Sequence, residues 1–325
     1  MTLKTMDESL LSLENCKLCP RKCGVDRTIR SGYCGVPADL RLAKAMIHEG
    51  EEPCLLPAGA VFFSGCNLRC VFCQNYEISL ERKGFPVSGE RFAEILLELQ
   101  EAGASTIDLV TPTPWVIQIA NVLRKLRQEE DPAEDASAGG KLRIPVVYNC
   151  GGYESVEALQ MLDGLVDIYM PDLKYFDPFI SRRYSGASDY FDVCSAALTE
   201  MYRQVGPVKL DEETGRMKKG LLIRHLVLPG CYQDSVRLMQ YLGEAFPSGS
   251  IRISLLAQYT PYGDLTDFPE LRRRVTTYEY EKVVEAADKA GLPGYRQFRS
   301  SATMDLRPSF DGSGLGVNLD SCEID

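Results

Sequence analysis

The 325-residue chain is short of positive charge: 36 Lys and Arg stand against 46 Asp and Glu, a formal net charge of −10. That balance argues against a nucleic-acid partner, which needs a basic footprint to displace phosphate counterions. No apolar run approaches the roughly 20 residues of a membrane helix, so no membrane span is expected. The first thirteen residues mix charged and apolar side chains and have no signal-peptide core. Internal repeats are absent. With twelve cysteines and no secretion signal, the composition points to a reducing cytoplasm and to metal binding rather than disulfides.

The length is ordinary for a single α/β barrel, and 45% apolar residues suffice for a sizeable core. From residue 60 onward, strand-like and helix-like segments alternate. The strand candidates are 61–64, 107–111, 144–149, 166–170, 221–228 and 251–256. Phe92, Ile95, Leu96 and Leu99 recur at helical spacing after Ser88, and Gly103 ends that helix. Thr113-Pro114 reads as the cap and first turn of the next. Val156, Leu159 and Leu162 form a third face, and Val193, Ala197, Leu198 and Met201 a fourth. Two more helices fit 236–246 and 278–290. The alternation predicts parallel strands with helical crossovers, and hence an α/β fold: a partial six-stranded (β/α)6 TIM-like barrel at 60–300, its active site at the C-terminal strand ends. Residues 1–59 read as a cysteine-rich N-terminal extension with a strand at 40–47, and 301–325 as a tail. The acidic, Gly-rich segment 128–141 reads as a surface insertion, and 209–220 as a hairpin.

The most informative run is Phe62-Phe63-Ser64-Gly65-Cys66-Asn67-Leu68-Arg69-Cys70-Val71-Phe72-Cys73-Gln74-Asn75. Three thiolates spaced C-x3-C-x2-C on a loop after a strand can each hold one iron of a [4Fe–4S] cube. No fourth cysteine follows nearby, so one iron keeps an open position for chemistry. A three-thiolate zinc knuckle or a cluster of buried cysteines is the plainer alternative. The run resembles the radical S-adenosylmethionine (SAM) superfamily, and the resemblance implies that Phe72 packs on the SAM adenine.

Other strand ends offer partners for the polar groups of SAM. Asp172 and Lys174 follow the fourth strand in Met170-Pro171-Asp172-Leu173-Lys174, and Arg224 is a lone charge in an apolar strand that needs a partner or a polar cavity. Asn149 and Cys150 follow the third strand, Gln258 and Tyr259 the sixth. Together these residues resemble the pyruvate formate-lyase activating enzyme-like branch of the superfamily. The resemblance implies that Asp172, Lys174 and Arg224 contact SAM. It also implies that a monovalent cation sits near Asn149, Cys150, Met170 and Asp172, and that Tyr259 or Gln258 stands in for a SAM-contacting histidine. The family's Gly-Gly-Glu-Pro-like run is missing. Leu109-Val110-Thr111-Pro112-Thr113-Pro114 replaces it, leaving the Thr111 hydroxyl and backbone carbonyls to receive the SAM amino group.

Cys16, Cys19, Cys23 and Cys34 form a second group among Lys17, Arg21, Lys22, Arg27 and Arg30. Four thiolates fill a tetrahedral zinc site or all four irons of an auxiliary cluster; the short-knuckle form of both halves favours zinc, and free buried thiols are the plain alternative. Cys54, Cys194, Cys231 and Cys322 read as packing residues. Cys150, at the barrel mouth, is a candidate catalytic hydrogen-atom donor, and His48 with Glu51-Glu52 would be acid–base groups if they reach that mouth.

The expected activity is reductive cleavage of SAM to methionine and a 5′-deoxyadenosyl radical, which takes a hydrogen atom from substrate. The resemblance implies a glycyl-radical protein as substrate and a one-electron donor such as flavodoxin or ferredoxin. The family's usual ferredoxin-like cysteine insertion is absent. A small molecule such as a sugar undergoing epimerisation is the second reading, and a non-catalytic iron–sulfur or zinc scaffold the third.

Overall fold

A computed structural model describes residues 12–127, 141–297 and 308–316 of the chain. Most of the segment 128–141, most of the tail and Cys322 lie outside the described residues. Ten strands occur among the described residues: β1 (Arg41–His48), β2 (Ala58–Phe63), β3 (Phe85–Pro86), β4 (Thr106–Val110), β5 (Val146–Cys150), β6 (Ile168–Pro171), β7 (Lys209–Leu210), β8 (Met217–Leu226), β9 (Arg252–Leu256) and β10 (Gly294–Arg296). Eight helices accompany them: α1 (Tyr76–Ser79), α2 (Gly89–Glu101), α3 (Val116–Arg127), α4 (Val156–Gln160), α5 (Pro178–Ser185), α6 (Tyr190–Val205), α7 (Tyr232–Ala245) and α8 (Thr277–Lys289).

The sheet order is β10-β9-β8-β6-β5-β4-β2-β1-β3, with β7 paired to β8 as the expected hairpin. Strands β2, β4, β5, β6, β8, β9 and β10 run parallel, joined by six helical crossovers. The architecture is therefore the six-unit α/β barrel that alternation predicted, plus a three-residue seventh parallel strand. β10 and β3 end the sheet, so the barrel is not closed. Strand β1, from the N-terminal extension, pairs antiparallel with β2 over Leu42–Phe63 to His48–Ala58.

Strand β2, Ala-Gly-Ala-Val-Phe-Phe, is buried at all six positions, as expected of a parallel strand covered on both faces. Its Phe63 faces the helices and meets Phe92 of α2 edge to face at 5.6 Å. Helix α2 starts where Ser88 Oγ accepts from Arg91 N at 3.1 Å. Thr113-Pro114 forms a 3₁₀ turn (Thr113–Trp115) leading into α3 rather than a cap, because the Thr113 hydroxyl is taken up elsewhere. Helix α5, absent from the sequence reading, is capped by Asp177, which accepts from Phe179 N at 2.7 Å.

Two features close the barrel bottom and seam. The loop between β1 and β2 rises into the lumen as a plug. Its Cys54 and Leu55 pack against the inward side chains Val147, Ile168, Met170 and Leu222, and Leu55 O accepts from Thr106 Oγ1 at 2.9 Å. Residues 308–316 run beside β1, with Gly312 N donating to Ala43 O at 3.0 Å. Phe310 there is buried against Phe62, with ring centroids 5.5 Å apart.

Candidate active site

Past β2 the chain turns sharply at Gly65, whose φ of +82° only glycine adopts freely. A Cβ there would meet Val36 Cγ1 at 2.6 Å, so the N-terminal segment seats directly on this turn. Cys66, Cys70 and Cys73 follow and line one wall of a cavity of about 530 Å³ at the C-terminal ends of the parallel strands. Leu68 N donates to Cys66 Sγ at 3.4 Å, Ser185 Oγ donates to Cys70 Sγ at 2.9 Å, and Cys73 Sγ pairs with Ser79 Oγ at 3.2 Å. Burial pushes all three thiols up, Cys70 to about 11, while the Lys174 ammonium pulls each down. Three half-buried cysteines on one cavity wall, each with a hydrogen-bonding neighbour and all beside one cation, suit metal binding, which supplies the missing positive charge. Among the described residues, no three His, Cys, Asp or Glu side chains are grouped to hold a single metal ion. A cube makes a different demand, one thiolate for each of three irons, and the donor set fits it.

The SAM-directed residues of the sequence reading come to the same cavity. Phe72, Thr111, Asn149, Asp172, Lys174 and Arg224 all line it. Lys174 Nζ donates to Asp172 Oδ2 at 2.6 Å. Burial alone would lower the Lys174 pKa, but Asp172 and Cys70 raise it above its ordinary value, so the side chain is a firm cation. The loop carrying the pair is pinned by Tyr190, whose hydroxyl donates to Asp172 O at 2.7 Å and Gly151 O at 2.9 Å. Gly152 sits at φ +77°, and a Cβ there would lie 2.2 Å from Asp172 O. Thr111 has a φ of +61°, an uncommon conformation for a β-branched residue that costs roughly 1–2 kcal/mol.

Two residues are placed differently from expectation. Tyr259 does not line the cavity: it is buried, donates to Leu271 O at 2.6 Å and touches Phe72 edge to face at 6.2 Å. Its neighbour Gln258 lines the cavity instead and accepts from Gln297 Nε2 at 2.8 Å. Cys150 contributes to the cavity rim, but strand alternation turns its thiol away from inward-facing Asn149. It joins Tyr148 and Cys194 in the layer between sheet and helices. There it lies beside buried Glu154, whose carboxyl accepts from Thr113 Oγ1 at 2.6 Å and Tyr148 OH at 3.2 Å. Burial pushes Glu154 up to about 7.

The wall opposite the thiols is built by the plug. Glu52 Oε1 accepts from Arg224 Nε at 2.8 Å and Glu52 Oε2 from Arg224 Nη2 at 2.5 Å, and Glu51 accepts from the same guanidinium. His48 Nε2 stands 3.9 Å from Glu51 Oε1. Below them Asp108, fully buried on β4, accepts from Asn149 Nδ2 at 3.1 Å. Asp108 escaped the sequence reading, although a lone charge inside the apolar run Thr106–Val110 is the same signal that drew attention to Arg224. The short β10 adds Tyr295, Arg296 and the following Gln297 to the lining.

The N-terminal cysteines lie close together beyond the cluster loop. Cys16 and Cys34 are buried, Cys19 half-buried and Cys23 exposed, all as free thiols. Burial lifts Cys19 to about 12, with Cys34 and Cys16 adding to the rise. Arg21 joins this segment to the loop: its Nε donates to Asn67 O at 2.8 Å, and it lies over the Tyr33 and Tyr153 rings at 4.2 and 4.9 Å.

Residues 60–206 match the model of the radical SAM superfamily. The matched stretch holds the cluster loop, Thr111, Asn149 and the Asp172/Lys174 pair. The match is at superfamily level and does not single out the glycyl-radical activating branch. An uncharacterised protein of Methanocaldococcus jannaschii is 28% identical over 291 residues, which cover 86% of this chain and 76% of that protein. Among solved structures, HydG, a maturase of the [FeFe]-hydrogenase, aligns at 16% identity with a TM-score of 0.45, over 70% of this chain and 47% of that one. SuiB of Streptococcus suis bound to SAM aligns at 14% identity with a TM-score of 0.42, over 76% of this chain and 52% of that one. A radical SAM methyltransferase from Sphaerobacter thermophilus aligns at 16% identity and a TM-score of 0.42, over 76% of this chain and 67% of that one. The chain spans about half the length of the first two of these structures. No helix among the described residues is long and apolar enough to cross a membrane.

Proposed function

We propose that this chain is a radical SAM enzyme that cleaves SAM and removes a hydrogen atom from a substrate in the same cavity. The carrying observation is the convergence of Cys66, Cys70 and Cys73 with the Lys174–Asp172 pair on one cavity at the strand ends. Cys66, Cys70 and Cys73 would hold a [4Fe–4S] cluster, which when bound would supply the electron for reductive cleavage of SAM to methionine and a 5′-deoxyadenosyl radical. The chain's own residues then have distinct tasks. Lys174 and Asp172 hold the polar end of SAM, Phe72 offers an apolar ring for the adenine, and the strained Thr111 backbone presents acceptors to the amino group. The plug and Phe310 limit access from below and from the seam, which protects a radical from water and stray hydrogen donors.

The Met170-Pro171-Asp172-Leu173-Lys174 run favours an activating enzyme acting on a glycine of a partner protein, reduced by a flavodoxin or ferredoxin. The polar wall of His48, Glu51, Gln258 and Gln297 favours a small molecule, because a glycine Cα–H needs no such partners. We favour the small molecule. A hydrogen donor at Cys150 would fit that reading, but its outward-turned thiol among Tyr148 and Cys194 supports packing instead. A monovalent cation beside Asn149 and Asp172, and zinc or an auxiliary cluster at Cys16, Cys19, Cys23 and Cys34, remain parts of the proposal.

The test is anaerobic reconstitution of the wild type and Cys70→Ala. The wild type should show a SAM-responsive [4Fe–4S] EPR signal and form 5′-deoxyadenosine, and the variant neither. Full cleavage by Cys70→Ala refutes the assignment. Deuterium transferred into a small-molecule product supports the small-molecule reading, and a glycyl EPR doublet on a partner protein the activating-enzyme reading.

A further inference from the structure

The last parallel strands bring to the cavity an amide pair whose polarity the backbone fixes. Alternation at the end of β9 turns Ser254, Leu256 and Gln258 into the cavity and Leu255, Ala257 and Tyr259 into the core. Gln297, just past β10, lines the same wall, and its backbone N–H donates to Leu255 O at 3.0 Å. Gln297 Oε1 accepts from Ala257 N at 3.0 Å, and Gln297 Nε2 donates to Gln258 Oε1 at 2.8 Å. A backbone N–H only donates, so the oxygen of Gln297 must face Ala257 and its nitrogen must face the oxygen of Gln258. Gln258 Nε2 is left over. It has no acceptor among the described residues and is not buried, so it is open to the cavity that Gln258 lines.

The surrounding charges restrict what this donor can meet. Three Lys or Arg side chains line the cavity among the described residues, and each is paired: Lys174 with Asp172, Arg224 with Glu51 and Glu52, and Arg296 with Asp288. Arg224 and Arg296 stand on the two strands that flank β9, and neither is free to hold a carboxylate or phosphate beside Gln258. We infer that Gln258 is a specificity residue whose amide N–H donates to an uncharged oxygen of the substrate, a hydroxyl or a carbonyl, and that Gln297 is the positioning residue that aims it. The inference rests on the small-molecule reading above. There the polar groups of SAM go to Thr111, Asp172 and Lys174, after β4 and β6, whereas β9 and β10 lie on the far side of β8. A donor aimed in advance gives up little freedom on binding, and a substrate lacking the oxygen leaves it unpaired, which is the basis of selection.

The experiment is side-chain amide NMR and calorimetry on the full-length reconstituted protein with SAM bound and its glutamines isotope-labelled. Gln258→Leu assigns the Gln258 amide signal. The probes are the neutral glucose and dihydroxyacetone, and the anionic gluconate and dihydroxyacetone phosphate. A neutral probe should move the Gln258 amide protons downfield and bind Gln258→Leu about three- to tenfold more weakly, the value of one uncharged hydrogen bond. Gln297→Glu keeps an oxygen for Ala257 but puts a second oxygen in place of the nitrogen. Gln258 must then turn its own nitrogen away from the cavity, so this variant should lose the neutral probe to the same extent with Gln258 still present. Circular dichroism establishes folding, and should Gln258→Leu unfold, the isosteric Gln258→Glu takes its place. Tighter binding of the anions, no binding of either neutral probe, or a Gln258 signal that no probe moves overturns the inference. So does a loss of SAM affinity in folded Gln258→Leu, which would give the donor to SAM and leave the functional reading standing. If the wild type takes up neither cluster nor SAM, the functional reading falls, and the same probes on the unloaded protein still judge the amide.

Discussion

Replacing Arg224 with Met should expose how much of the barrel's stability depends on the plug. The guanidinium side chain is 16% exposed, and it holds two carboxylates that are themselves almost wholly buried. Removing one partner of a buried ion pair costs about 3–5 kcal/mol, because uncompensated charge is left behind. Protonation of one carboxyl relieves part of that charge, so we expect about 3–4 kcal/mol at neutral pH. The loss should shrink on acidification, and the sign follows from both proteins. In the wild type Arg224 holds Glu52 below its ordinary value against the opposing effect of burial, so its contribution is present at neutral pH and lost as pH falls through the depressed pKa. In the variant the stranded carboxyls are raised instead, so the folded state gains from added protons. Arg224→Met combined with Glu51→Gln and Glu52→Gln removes the charges together and should recover at least half the loss, which is the signature of coupled sites. Urea unfolding followed by Trp115 fluorescence and circular dichroism measures all three proteins. A single variant within about 1 kcal/mol of wild type, or a triple variant no better than the single, would refute the reasoning.

Other outcomes follow from the same geometry. Gly65→Ala forces a side chain into φ +82° and against Val36; it should cost about 2–4 kcal/mol and expose residues 12–40 to limited proteolysis, and an unaltered cleavage pattern would contradict the described junction. Glu154 is raised to about 7, so wild-type stability should fall as pH climbs from its ordinary value to 7, by about 3 kcal/mol in all; Glu154→Gln should flatten that fall in urea midpoints at pH 5 and 8, and parallel slopes would show that Glu154 is not its source. Lys174→Met should leave the iron content unchanged and weaken SAM binding by about 10–100-fold, the value of one charge-assisted hydrogen bond; retention of wild-type affinity would remove Lys174 from the site.

Much of the barrel was legible because parallel strands buried on both faces leave continuous apolar runs, and 107–111 and 251–256 fall within a residue of β4 and β9. Local signals also began a helix after Ser88 and placed 209–220 as a hairpin. The plug was not legible: Glu51-Glu52-Pro53 reads as a polar loop, and its true partner, Arg224, lies more than 170 positions away. Helix α5 was missed because eight residues give too little periodicity, and β10 because three residues give none. In the candidate site, the cysteine loop with its family resemblance pointed to Phe72 and a strand end to Asp172 and Lys174, and the structure brings all three to one cavity. They could not decide between neighbours: alternation turns Cys150 outward, and the Tyr259 hydroxyl is consumed by Leu271 while Gln258 takes its expected place.

The lone tryptophan has a practical consequence. Trp115 is fully buried and donates its indole N–H at 2.8 Å to the carbonyl of Ser64, which lies two residues before the first cysteine of the loop. Iron–sulfur clusters absorb across the near-ultraviolet and visible range, where indole emits. The chain thus holds a built-in optical gauge: emission should dim as the loop loads and recover when it is stripped, with no added dye and no turnover.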